Sequence, residues 1–199
     1  MIHPITAYGD PVLKKIAQEI IPNTIDVKKL AQEMFDTMQN AKGVGLAAPQ
    51  IGLSIRMFVA DSSPLEDDEE EDTNNDLAKK TDETTPVFKQ VFINPTIEEE
   101  WGKEWAYEEG CLSIPGIRGE VYRHSNLRIH FFDENWVEHT KEYDGFAARI
   151  IQHEYDHIEG VLFIDYLSNL KKQLLKNKLI NISKGNTDAS YRMKFPLRK

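Results

Sequence analysis

Residues 153–157 of this 199-residue chain read His-Glu-Tyr-Asp-His. On an α-helix, two histidines four residues apart project from one face with ring nitrogens close enough to share a metal ion, and the glutamate after the first can reach a water held by that ion. Phe146, Ile150, His153 and His157 fall on one helical stripe, so this face points into the core rather than into water. Buried imidazoles leave ring nitrogens in need of partners, and a metal supplies them. A hydrolytic site of this kind needs a third ligand and an open position. A longer H-E-x-x-H-x-x-G-x-x-H pattern would take that ligand from a third histidine, but the chain follows the pattern only through Gly160 and carries Phe163 at the histidine position. A downstream glutamate is excluded as well, because no Glu follows Glu159. The third ligand is therefore expected upstream, where Cys111, the single cysteine, is the softest candidate. Coordination would hold it as thiolate; without a metal it would be a small apolar filler. His3, His124, His130 and His139 lack the spacing and read as surface or strand residues.

A second candidate is Gly-Val-Gly-Leu-Ala-Ala-Pro-Gln at residues 43–50. Gly43, Gly45 and Ala48 match a dinucleotide-binding fingerprint in spacing, but that fingerprint must come after a strand and open a helix. Here a helical pattern precedes it and Pro49 breaks any helix it could open, so nucleotide binding is set aside. Two readings stay open: a glycine-rich turn that joins helix to strand, or a backbone lying open to a peptide, with Gln50 offering an amide donor to an oxyanion.

Periodicity defines the elements that must position these residues. Asp10 and Pro11 mark a helical start. Val27, Leu30, Ala31, Met34, Phe35 and Met38 repeat as one face of an amphipathic helix, with a cap expected near Thr24 and an end before Lys42. Strands are expected at 55–60, 87–93 and 126–132, with Asp133-Glu134-Asn135-Trp136 as a hairpin turn. The helix bearing the histidine pair runs from an Asp144 cap to a Gly160 stop. A last helix starts at Ser168, with Leu167, Leu170 and Leu174 expected to face inward. Helices flanking hairpin-linked strands make an α+β fold: one domain over 1–199, mostly antiparallel strands around a central H-E-x-x-H helix, with a helix near the C-terminus.

Composition narrows the class. With 40 % apolar residues the chain can bury a sizeable core, and no apolar run approaches membrane-spanning length. No signal-type apolar stretch comes after Met1 and one cysteine allows no internal disulfide, which favours a reducing cytoplasm. The formal net charge of −9 is concentrated: between Asp61 and Glu83 eleven acids stand against Lys79 and Lys80. Residues 62–85 therefore read as a solvated, flexible insert, and EF-hand spacing is absent from it. From Tyr166 onward the sign reverses, with nine Lys or Arg against Asp188 alone, so the helix and tail of 168–199 form a basic segment that could meet an anionic surface.

Residues 43–50, Glu-Gly-Cys-Leu-Ser at 109–113 and Gln-His-Glu-Tyr-Asp-His at 152–157, in this order, resemble the three signature motifs of the peptide deformylases. Those enzymes remove the formyl group from nascent bacterial polypeptides. The likeness extends to residues 8–17, to Phe-Ile-Asn-Pro at 92–95 and to 160–168, and so spans almost the whole chain. The Cys111 segment and the helical tail look like the bacterial type with a C-terminal helix; the acidic insert is longer than usual there and touches no motif. The resemblance implies that Cys111, His153 and His157 bind one divalent metal, Fe²⁺ natively with Zn²⁺, Ni²⁺ or Co²⁺ accepted. It implies that Glu154 serves as general acid and base, while the Gln50 side chain and the Leu112 backbone N–H meet the charge on the formyl oxygen. It places the substrate as an added strand beside Val44, Gly45 and Gly110, its methionine side chain in a pocket lined by Val44, Phe146 and Ile150, with Arg118 at the rim. N-formylated nascent peptides are the implied partners, a ribosome contact through the basic helix is a further one, and a monomer is expected.

Overall fold

The computed structural model describes residues 1–63 and 88–196. The chain opens with β1 (Ile5–Thr6), a 3-10 turn at Pro11–Lys14 and α1 (Val27–Asn40). A sheet of β2 (Gly45–Ala47), β3 (Met57–Asp61), β4 (Lys89–Cys111), β5 (Ile114–Phe132) and β6 (Glu138–Asp144) comes next, its strands side by side in chain order and antiparallel throughout. The helix α2 (Gly145–Ile158), a 3-10 turn at Phe163–Tyr166, α3 (Asn169–Ser183) and β7 (Met193–Lys194) complete it, and β7 returns to pair in parallel with β1. This is the α+β architecture that the alternating patterns predict. Among the described residues no helix is long and apolar enough to cross a membrane.

Strand alternation decides what each face of the sheet buries. On β3, Met57 and Val59 join the core under α1, where Ala31, Met34, Phe35 and Met38 pack, while Phe58 and Ala60 turn to the opposite face. There Ala148, Ile150, Ile151 and Ile158 of α2 lie against Phe92, Leu127, Ile129 and Phe131. The histidine helix is thus pressed onto the sheet by its own apolar stripe. A third cluster joins Ile114, Ile117 and Val121 of β5 to Phe163, Leu167, Leu179 and Ile182.

Several boundaries differ from the sequence reading. Asp26, not Thr24, caps α1, its side chain accepting from the Lys29 N–H at 3.0 Å. Asp10 opens only a 3-10 turn, and Asp144 stands at the N-cap of α2 without a side-chain cap bond. Gly160 does end that helix, with φ +73°. β4 runs on through residues 94–111, beyond the expected strand, and β5 starts at Ile114 rather than 126. Leu167 is buried, but Leu170 and Leu174 point outward, 67 % and 72 % exposed; Leu179 and Ile182 are the buried face of α3. The acidic insert of 62–85 falls on residues that, but for Ser62 and Ser63, lie outside the described ones; the Ser62 N–H donates to the carbonyl of Phe88, beyond the insert, at 2.9 Å.

Candidate active site

Three elements bring the chemistry-bearing residues together. Cys111 is the last residue of β4 and pairs with Ile114, so Leu112 and Ser113 form a two-residue turn between the long strands. His153, Glu154 and His157 come from α2, and Gly45 to Gln50 come from β2 and the 3-10 turn at Ala48–Ile51. Ligand atoms of Cys111, His153 and His157 all lie within 4.8 Å of one another. The Cys111 Sγ stands 3.3 Å from His157 Nε2. Ligands held about 2.0–2.3 Å from a tetrahedral metal are about 3.4–3.7 Å apart, so the triad fits a single ion. The other four histidines bond elsewhere: His3 with Glu33, His124 with the Gly102 carbonyl, His130 with Glu138 and His139 with Asp133.

Electrostatics agree with that fit. Glu109, 4 % exposed, accepts from Arg123 Nε (2.7 Å) and Nη2 (3.0 Å), from Arg149 Nη1 (3.0 Å) and from His153 Nδ1 (2.9 Å). Burial alone would raise this carboxyl, but the hydrogen bonds and charges of Arg123 and His153 outweigh it and hold the group well below the usual carboxylate range. A carboxylate can only accept, so the Nδ1 of His153 carries a proton toward Glu109, and Nε2 is the ring nitrogen that a metal would take in exchange for its proton. Carboxylate–histidine pairing of this sort orients metal ligands. Burial would lower the His153 pKa, yet Cys111 and Glu109 push it well above normal; negative surroundings that favour a proton there also favour a cation in its place. His157 goes the other way, held neutral by burial and by the charge of His153.

Glu154 is 4 % exposed, and its Oε2 has no hydrogen-bond partner among the described residues. Burial pushes its carboxyl up to about 7, which makes it able to take and return a proton near neutrality. Its closeness to β2 explains Gly45: a Cβ there would stand 2.7 Å from the Glu154 Cδ. Gln50 is 1 % exposed and fixed in orientation, because its Oε1 accepts from the Ala47 N–H (2.8 Å), which turns Nε2 toward Cys111 Sγ (3.4 Å) and Ser113 Oγ (3.5 Å). Val44 and Phe146 pack on the apolar cluster that contains buried Ile150. Gly110 and Arg118 face each other across β4 and β5, both exposed.

Sequence reasoning missed the group around Glu109. Arg123 also reaches Asp156 (Nη1 to Oδ2, 2.8 Å), and Arg149, 2 % exposed, donates to the Trp105 carbonyl (2.6 Å) with its guanidinium 4.3 Å above the Trp105 ring. Tyr107 closes edge-on against Phe146, ring centroids 4.9 Å apart. Two spacings point to Glu109 and Arg149, and none to Arg123. Glu109 is two residues from Cys111, hence on the same face of a strand, and Arg149 is four from His153, hence on the same face of a helix.

Comparison with known proteins gives the same answer as the geometry. Residues 2–173 match the family model described as polypeptide deformylase. The chain is 62 % identical over 199 residues to a peptide deformylase of Cytophaga hutchinsonii, covering 100 % of both chains. It is 55 % identical to one of Christiangramia forsetii, covering 100 % of this chain and 98 % of that one. Among solved structures, the peptide deformylase of Thermus thermophilus superposes with a TM-score of 0.76 at 36 % identity, over 93 % of this chain and 99 % of that one. A full-length sequence match, a shared fold and the clustered Cys111, His153 and His157 converge, and the chain belongs to the peptide deformylase family.

Proposed function

We propose that this enzyme hydrolyses the N-formyl group from the formylmethionine of nascent polypeptides and releases formate. The observation that carries the reading is the Cys111, His153 and His157 triad, compact enough for one ion, with the buried Glu154 carboxyl beside it. An ion held there would acidify a water molecule and polarise the formyl carbonyl. Glu154 takes a proton from the attacking water, whose oxygen bonds to the formyl carbon. As the C–N bond breaks, Glu154 delivers that proton to the departing amine, leaving formate and a free N-terminus. Gln50 Nε2 and the Leu112 N–H meet the charge that develops on the formyl oxygen. The orientation of Gln50, set by Ala47, supports that role.

β2 lies at the edge of the five-stranded sheet, which supports docking of the substrate as an added strand along Val44, Gly45 and Gly110. The packing of Val44, Phe146 and Ile150 suits a methionine side chain, with Arg118 at the exposed rim. The two-histidine, one-thiolate donor set suits Fe²⁺, the family expectation, and equally Zn²⁺, Ni²⁺ or Co²⁺. The enzyme works as a cytoplasmic monomer, and the exposed lysines of α3 offer a ribosome contact. The test is formate release from formyl-Met-Ala-Ser, with metal retained under anaerobic conditions. The parent should turn over this tripeptide. The Cys111→Ser variant should keep the fold but lose tight metal and turnover together, because an alcohol is a far poorer ligand than a thiolate. Full metal content and full activity in that variant would remove Cys111 from the ligand set.

A further inference from the structure

The turn Leu112-Ser113 lies outside the β4–β5 ladder, and both of its carbonyls are held by other parts of the chain. Leu112 O accepts from the Tyr191 hydroxyl at 2.8 Å, and Ser113 O accepts from the Tyr8 N–H at 2.9 Å. Tyr8 comes just after β1 and Tyr191 just before β7, and these two segments are bonded to one another. The Ile5 N–H donates to Arg192 O (2.9 Å) and the Ala7 N–H to Lys194 O (2.8 Å). The first residues of the chain and the segment that returns after α3 thus form one clamp across the turn. Half-buried Tyr191 also packs on the same apolar cluster as Leu112.

We propose that Tyr191 is a positioning residue for deformylation: by holding the Leu112 carbonyl, its hydroxyl fixes the direction of the Leu112 N–H that faces the formyl oxygen. The inference rests on the proposed oxyanion role of that N–H. Among the described residues no ladder bond holds the Leu112 carbonyl, so without Tyr191 the backbone of this residue is tied through Cys111 and Ser113 and by the packing of its side chain on the apolar cluster, with no hydrogen bond on the carbonyl itself. Oxyanion donors act through preorganisation, and small misplacements cost rate rather than binding.

Tyr191→Phe removes the hydroxyl and keeps the ring. In the metal-loaded enzyme with formyl-Met-Ala-Ser, kcat should fall about tenfold with KM little changed, less than the roughly 10²–10³ that loss of an oxyanion donor costs. Thermal midpoint and metal content should match the parent, and amide hydrogen exchange at Leu112, tracked by NMR, should accelerate. A kcat within twofold of the parent with an unmoved Leu112 amide would overturn the role of Tyr191 alone. A normal kcat with a loosened Leu112 amide would overturn the oxyanion role of Leu112, and this inference with it. A fall in kcat that accompanies lost metal or a lowered midpoint would make the clamp a support of the fold only, and would equally overturn the inference.

Discussion

Glu154 combines a buried carboxyl, an oxygen with no hydrogen-bond partner among the described residues and a pKa pushed up to about 7 by burial. In the proposed reaction only the ionised form can take a proton from water, so activity should fall as pH drops through the pKa of this group. A divalent cation beside it favours the carboxylate and acts against burial, so the acid limb of kcat/KM in the loaded enzyme should lie below 7. Glu154→Gln does not titrate and cannot carry a proton. It should retain stoichiometric metal, lose at least about 10² in kcat and lose that acid limb; a near-normal rate with full metal would take Glu154 out of the mechanism. Gly45 gives a second check. Its missing Cβ leaves room for the Glu154 side chain, so Gly45→Ala should displace the acid/base and lower kcat about tenfold or more, while metal content stays normal. Normal turnover in that variant would show that Glu154 tolerates displacement. At this scale His153, Glu154 and His157 were legible as candidates because their chemistry is written in neighbouring residue types, and Cys111 because it is the single cysteine left once a third histidine and a downstream glutamate are excluded. Glu109, Arg123 and Arg149 were not, since charged residues read as solvated until tertiary packing buries them against one another.

The same limit governs the elements. The periodicity of α1 and α2 identified both helices, because each buries one broad apolar stripe against the sheet. α3 carries two candidate stripes. Leu167, Leu170 and Leu174 fit a helical face, and so do Leu175, Leu179 and Ile182; the choice is made by the surface of β5 and the 3-10 turn at Phe163–Tyr166, which periodicity cannot see. In β4, residues 98–104 escaped the strand reading because the side chains of this stretch are almost all exposed on both faces, and the alternation that marks a half-buried strand is missing. The α3 assignment makes a plain stability prediction. Leu170→Ser with Leu174→Ser should move stability by less than about 0.5 kcal/mol per site, whereas Leu179→Ala should cost about 2–4 kcal/mol. Thermal or urea unfolding of the two variants decides it: equal destabilisation would mean that the outward leucines are covered.

Across the whole molecule, charge is segregated. The formal net charge is −9, yet the segment from Tyr166 onward is basic, and Lys171, Lys172, Lys176 and Lys178 all lie exposed on α3. Lys172 also bonds the Asp165 carbonyl at 2.6 Å, which fixes one of the four against the body of the fold. Leu170 and Leu174 stand exposed among them, so this helix offers apolar contact as well as charge. An enzyme whose substrates emerge from the ribosome gains from a surface that attracts ribosomal RNA, and such contacts weaken steeply with salt as counterions are released. Four phosphate contacts predict a loss of about 10² in affinity between about 50 and 200 mM salt. Replacing the four lysines with glutamate should leave deformylation of the free tripeptide unchanged, because none of them approaches Cys111, Glu154 or Gln50 in the proposed mechanism. The parent should co-sediment with ribosomes at low salt, and the same variant should not. If it sediments as well as the parent, or if parent binding is indifferent to salt, the basic face of α3 is only a solvated surface, and the enzyme meets its substrates by diffusion alone.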